Sequence, residues 1–230
     1  MAASREYRDP LRMQIGLLLY PELTQLDLTG PYEVFHRLPD ATVHLVWKDT
    51  APVRAQGGLQ LVPSTTMAAC PALDVVCVPG GFGQIALMSD EVVLDWLRTQ
   101  AKTARFVTAV CTGSLLLGRA GLLAGYAATS HWAFTELLPA FGARYQPGRV
   151  VVDRDRITGG GVTAGIDFAL RVAAEICGED VAKAIQLGLE YNPAPPFTCG
   201  HPDVADAALV AQVRARLAPA SERFGQSKST

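Results

Sequence analysis

The chain has 230 residues, with 49% hydrophobic and 18% charged positions, which excludes a disordered or fibrous protein and leaves room for one sizeable α/β core. A formal charge of -2 and a pI near 6.1 supply no basic surface for nucleic acid or anionic lipid, so small neutral ligands are the expected partners. The polar run Met1 to Pro10 lacks the apolar region of a signal peptide, and no later segment reaches the length of a membrane span. A cytoplasmic protein with no membrane partner is therefore expected, its five cysteines (70, 77, 111, 177 and 199) being reduced thiols.

Taken in order, residues 1–12 read as a flexible extension, 13–217 as a single domain and 218–230 as a disordered tail. Gln14 to Tyr20 is a continuous apolar run, the mark of a strand buried on both faces. Pro21 to Pro31 then turns into a helix for which Thr29 is a plausible cap, with Pro31 tolerated in the first turn. Val43 to Trp47 is a strand, and 53–62 a short hairpin around Gln56-Gly57-Gly58. Asp74 to Val78 is a second buried strand that breaks at Pro79-Gly80-Gly81. A helix from Asp90 to Gln100 leads to the apolar strand that begins at Phe106.

That strand runs directly into Cys111, followed by Thr112 and Gly113 and a helix over 113–120. A strand-to-helix turn this tight tolerates only small neighbours and lifts the side chain at its apex above the sheet, the geometry of a nucleophile elbow. At a helix start, free N–H groups favour a thiolate over a thiol. The alternative is plain burial, the commonest fate of a cysteine. Beyond it, a short strand is expected at Ala127 to Thr129, a helix from His131 to Phe141, and strands at Val150 to Asp153 and Arg156 to Thr158 that end in Gly159-Gly160-Gly161. Helices near 164–177, 180–191 and 203–217 complete the pattern.

Strands alternating with helices imply a mostly parallel sheet covered on both faces, and ligands of such sheets bind outside the carboxyl ends of the strands. Asp27, Gly80, Gly81, Cys111 and the 159–161 glycines all follow strands and share that edge. Asp27 either caps a helix or brings a carboxyl group to Cys111, where a partly dry pocket would raise its pKa. Gly80 and Gly81 either make a plain turn or present successive N–H groups to developing negative charge. His131, at a helix start with Trp132, either lines the pocket or is a satisfied structural residue.

Several motif matches are set aside. Gly113 to Ala120 imitates a phosphate loop but has Arg119 for Lys and Ala120 for Ser or Thr. The glycines at 159–165 miss the dinucleotide spacing. His201-Pro202-Asp203 could complete a Cys-His-Asp triad, but its Pro-rich setting suits surface structure better. No C-x-x-C occurs, and His36, His44, His131 and His201 are scattered, so no metal site is expected.

The segments Leu26 to Pro31, Val78 to Gly81, Ala109 to Gly113, Thr129 to Trp132, and Thr158 to Gly161 with Ala164 to Phe168 resemble the ThiJ/PfpI superfamily, and within it the isonitrile-hydrating members. That resemblance implies a flavodoxin-like sandwich, a homodimer, no cofactor, and a cysteine nucleophile, Cys111, paired with an acid from the loop after the first strand, Asp27, with Thr112 beside them. The apolar helix Tyr32 to Leu38 near the site is the expected dimer contact. Peptidase-like members carry a histidine where this chain has Thr112, which argues against proteolysis. The expected reaction is hydration of an isonitrile, R–N≡C, to the N-substituted formamide. Competing functions are a ligand-sensing module like those fused to AraC-type regulators, disfavoured because no helix-turn-helix region is evident after residue 217, and a thiol-dependent aldehyde-detoxifying or redox-sensing protein.

Overall fold

The computed structural model describes residues 13–227, so the N-terminal extension and residues 228–230 lie outside it. In chain order the elements are β1 (Met13–Leu18), α1 (Gln25–Phe35), β2 (Ala41–Trp47), β3 (Val53–Arg54), β4 (Gln60–Leu61), β5 (Thr65–Thr66), β6 (Val75–Val78), α2 (Gln84–Leu87) and α3 (Glu91–Ala101). They continue with β7 (Phe106–Val110), α4 (Gly113–Arg119), β8 (Ala127–Ala128), β9 (Arg144–Tyr145), β10 (Val150–Asp153), β11 (Arg156–Gly159), α5 (Ala164–Cys177), α6 (Glu179–Gly188) and α7 (Ala207–Gln226).

Seven strands form one sheet in the order β10-β11-β7-β6-β1-β2-β5, parallel throughout except for the β10–β11 pair. Their apolar runs are buried on both faces, as continuous Val/Leu strands require: Ile15, Leu17, Val75, Val76, Val107 and Val110 have no exposed surface. α1 packs with α5, and α5 with α6, while α2, α3 and α4 contact one another. Each side of the sheet thus has its own helical cover. Register places Val78 opposite Ala109 and Gly159 opposite Val110, so these strands end level. The chain steps from β1 outward to β2 and returns to β6 on the other side of β1, which opens a crevice at that carboxyl edge.

Three expectations are corrected. α1 begins at Gln25, directly after the turn in which Glu22 takes a positive φ of 59°. Thr29 therefore lies inside the helix and bonds Gln25 at 2.8 Å, and Pro31 falls beyond the first turn, where it cannot donate to the Asp27 carbonyl. The expected helix over 131–141 is a 3-10 segment at Thr135–Phe141, interrupted by Pro139 and closed by Gly142 at φ 83°. The last helix starts at Ala207, capped by Asp206, and continues through most of the expected tail to Gln226. It is held there by Phe224, which is fully buried against Phe134 at 5.6 Å between ring centres. Burying such a ring contributes roughly 2 kcal/mol.

Candidate active site

β7 delivers Cys111 to the crevice at φ +58°, a left-handed conformation that costs a residue with a Cβ about 1 kcal/mol. The bend is over-determined by its surroundings. Cys111 N–H donates to both Gly159 and Gly160 carbonyls at 3.0 Å, and the Cys111 carbonyl accepts from Ser114 Oγ at 3.1 Å and Ser130 Oγ at 3.0 Å. Gly113 is obligatory, since a Cβ there would stand 2.0 Å from the Val78 carbonyl oxygen. The expected small-residue elbow is present.

Asp27 belongs to the first turn of α1, but its side chain caps nothing. It points into the sheet edge, fully buried, where Oδ2 accepts from Gly80 N–H at 3.0 Å and Oδ1 has no well-aligned partner. The Cys111 thiol lies beside it. Burial raises the Asp27 pKa to about 7, against the opposing pull of Cys111 and the Gly80 N–H. Burial also pushes Cys111 well above its usual value, and the Asp27 charge adds to this, while the N–H groups of Thr112 and Val162 draw it down. The helix-start donors are thus outweighed, and a free resting thiolate is not what the site favours. The Asp27 charge opposes ionisation of Cys111, whereas the Cys111 thiol, as a donor, favours the Asp27 carboxylate, so near neutrality the pair carries one negative charge at most.

Gly80 and Gly81 differ in role from the expected oxyanion hole. The Gly80 N–H is taken by Asp27 and the Gly81 N–H by Thr112 Oγ1 at 3.1 Å, so neither is free for a substrate. Their task is close packing: a Cβ on Gly80 would stand 2.7 Å from both Asp27 Oδ2 and Thr112 N. Thr112, also buried, donates its hydroxyl to Gln84 Oε1 at 3.0 Å, and Gln84 Nε2 returns a bond to the Thr112 carbonyl at 2.7 Å. With its proton committed to Gln84 and one lone pair to Gly81, the Thr112 hydroxyl retains a single lone pair for a reacting group.

His131 takes no part in this network. It is half-buried, accepts from Ala133 N–H at 3.2 Å and packs on Trp132, Phe134 and the Gly161 backbone, where a Cβ would come within 2.5 Å of its ring. Burial lowers its pKa to about 4, so it is neutral. His201 and Asp203 are exposed and pair with each other at 3.3 Å. His201 lines a groove with Trp132 and Leu209 and takes Asp203 as its partner, and the Cys111 partners do not include either residue. Cys77 is core. Four contributors escape the sequence pattern: Gln84, Ser114, Ser130 and Tyr20. Tyr20 is fully buried, donates to the Pro79 carbonyl at 2.9 Å, and is kept neutral by burial and by the charges of Asp27 and Cys111.

Among the described residues no group of three or more His, Cys, Asp or Glu has metal-binding geometry, and no helix is long and apolar enough to cross a membrane. Residues 13–175 match the model of the DJ-1/PfpI family. The chain is 58% identical over 209 residues to the isonitrile hydratase of Pseudomonas putida, covering 91% of this chain and 92% of that enzyme. It is 34% identical over 179 residues to the HTH-type transcriptional regulator GbdR of Pseudomonas aeruginosa, spanning 74% of this chain but 48% of the regulator. Among solved structures, a ThiJ/PfpI family protein from Pseudomonas syringae superposes with a TM-score of 0.93 at 38% identity, over all of this chain and 98% of that one.

Proposed function

The chain belongs to the DJ-1/PfpI family, and from that premise we propose that it is an isonitrile hydratase in which Cys111 is the nucleophile and Asp27 moves the protons. The near-full-length similarity to the P. putida enzyme carries the activity. The buried carboxyl–thiol pair supports the mechanism.

The terminal carbon of an isonitrile accepts a nucleophile and must then gain a proton. In the first step the thiol proton passes to the Asp27 carboxylate, the thiolate forms the S–C bond, and Asp27 returns that proton to the same carbon. The product is a covalent thioimidate, R–N=CH–S–Cys111. Asp27 is again a carboxylate, and takes a proton from water as the oxygen adds to the thioimidate carbon. The nitrogen gains that proton, the C–S bond breaks, and R–NH–CHO leaves with the thiolate restored; the proton left on the adduct's hydroxyl resets the pair. A pKa near 7 suits a group that gives and takes a proton in alternate steps. The N–H groups of Thr112 and Val162 face the sulfur, and the remaining lone pair of Thr112 serves to orient water.

Purified protein offered a panel of isonitriles, methylglyoxal and a peptide is expected to yield product only from the isonitriles, followed as formamide by NMR. Turnover of methylglyoxal with no formamide would replace this reading by an aldehyde-directed one.

The working form is a homodimer in the cytoplasm. Within the 32–38 segment Val34 and Phe35 are fully buried and Leu38 nearly so, which leaves half-buried Tyr32 as its apolar side chain open to a dimer contact. Exposed Phe197 and Val204, at 73% and 65%, are better candidates for a covered surface. Light scattering should give about twice the 24.5 kDa chain mass, and a monomer at micromolar concentration would overturn the assembly.

A further inference from the structure

Two hydroxyl groups from separate parts of the chain converge on the Cys111 carbonyl oxygen: Ser114 from the first turn of α4 and Ser130 from the segment after β8. Both side chains are buried, and a carbonyl has two lone pairs, so each is satisfied there. Ser114 lies three residues after Cys111 and makes an ordinary helix-start contact. Ser130 is nineteen residues away and is brought in by tertiary structure.

The Cys111 carbonyl and the Thr112 N–H belong to one planar trans peptide, so they point in opposite directions and turn together. Whatever fixes the carbonyl fixes the N–H. That N–H faces the Cys111 sulfur. The plane needs fixing because it follows a residue at φ +58°, where an unrestrained chain would relax. The next residue, His131, packs its ring against the Gly161 backbone, directly before Val162, the second N–H facing the sulfur. One short segment therefore braces both donors.

We propose that Ser130, seconded by Ser114, is a positioning residue for the reaction: by locking the Cys111–Thr112 peptide it keeps an N–H trained on the nucleophilic sulfur as the thiolate forms. This rests on the hydratase reading for its consequence in turnover, but not for its effect on the thiol.

The titratable groups facing Cys111 are Asp27 from α1 and Tyr20 after β1, and both remain in every variant tested. The measurement is the pH profile of Cys111 alkylation by iodoacetamide, read on its own peptide by mass spectrometry because Cys199 is exposed, together with kcat and KM for an isonitrile. Losing an aligned charge-assisted hydrogen bond should slow alkylation at pH 7 about tenfold, move its midpoint to higher pH and lower kcat about tenfold with little change in KM. These changes are expected for Ser130→Ala and, less strongly, for Ser114→Ala, with Ser130→Thr restoring them. An unchanged alkylation profile in whichever alanine variant is folded would overturn the proposal, including the case where only the melting temperature falls. Absence of formamide from the wild-type protein would instead defeat the hydratase reading and leave the alkylation result to judge the serine.

Discussion

Cys111→Ala is expected to keep the fold and to lose formamide production by at least about 10³-fold, because no covalent intermediate then divides the reaction into two easier steps. Alanine accepts the same bend at the same backbone cost, and the bonds that define it use only the backbone of residue 111. The melting temperature should therefore move by a few degrees at most. Turnover within a few-fold of wild type in a folded Cys111→Ala protein would reject the covalent route altogether.

Asp27→Asn carries the second large effect. Its amide oxygen can still accept from Gly80 N–H, so an Asp27 that merely anchored the 80–81 turn would leave both rate and stability intact when replaced. An Asp27 that exchanges protons predicts a loss of roughly 10²- to 10⁴-fold in a folded protein. Stability supplies an independent test. The carboxyl pKa rises from 3.8 to about 7 on folding, so the native state binds the proton more tightly than the unfolded one. The favourable contribution is complete below about pH 4 and is lost as pH rises to about 7, by about 1.4 kcal/mol for each pH unit crossed between those two values. Asn does not ionise. The melting temperature of Asp27→Asn minus that of wild type should therefore increase between pH 5 and pH 8, and a flat difference would show that Asp27 is not held in a desolvated site.

Much of the site is legible in the chain because its residues sit at chemically forced places. An apolar strand that stops at Cys111, another that stops at Pro79-Gly80-Gly81, and Asp27 shortly after the first strand must all reach the same sheet edge once the strands are parallel. What cannot be read is which acceptor each donor finds. Gly80 and Gly81 look like free N–H groups because nothing in the chain shows that Asp27 and Thr112 already occupy them. Gln84 lies in a helix of four residues with no periodicity to expose its buried face. Ser130 has no local signal, since its partner is nineteen positions away. The end of α7 is hidden for a related reason: Phe224 is a single apolar residue in a polar stretch, and it becomes core through distant contacts such as that with Phe134.

The depth of the nucleophile bears on selection by shape. Cys111 is 5% exposed and Asp27 not at all, so a reacting atom must be brought down to them past the rim of the crevice. An isonitrile presents its electrophilic carbon as the bare tip of a linear rod, with every substituent trailing behind the nitrogen. A peptide carbonyl carbon is flanked by chain on two sides and meets the rim before it meets the sulfur. Molecular cross-section at the reacting end thereby favours an isonitrile over a peptide.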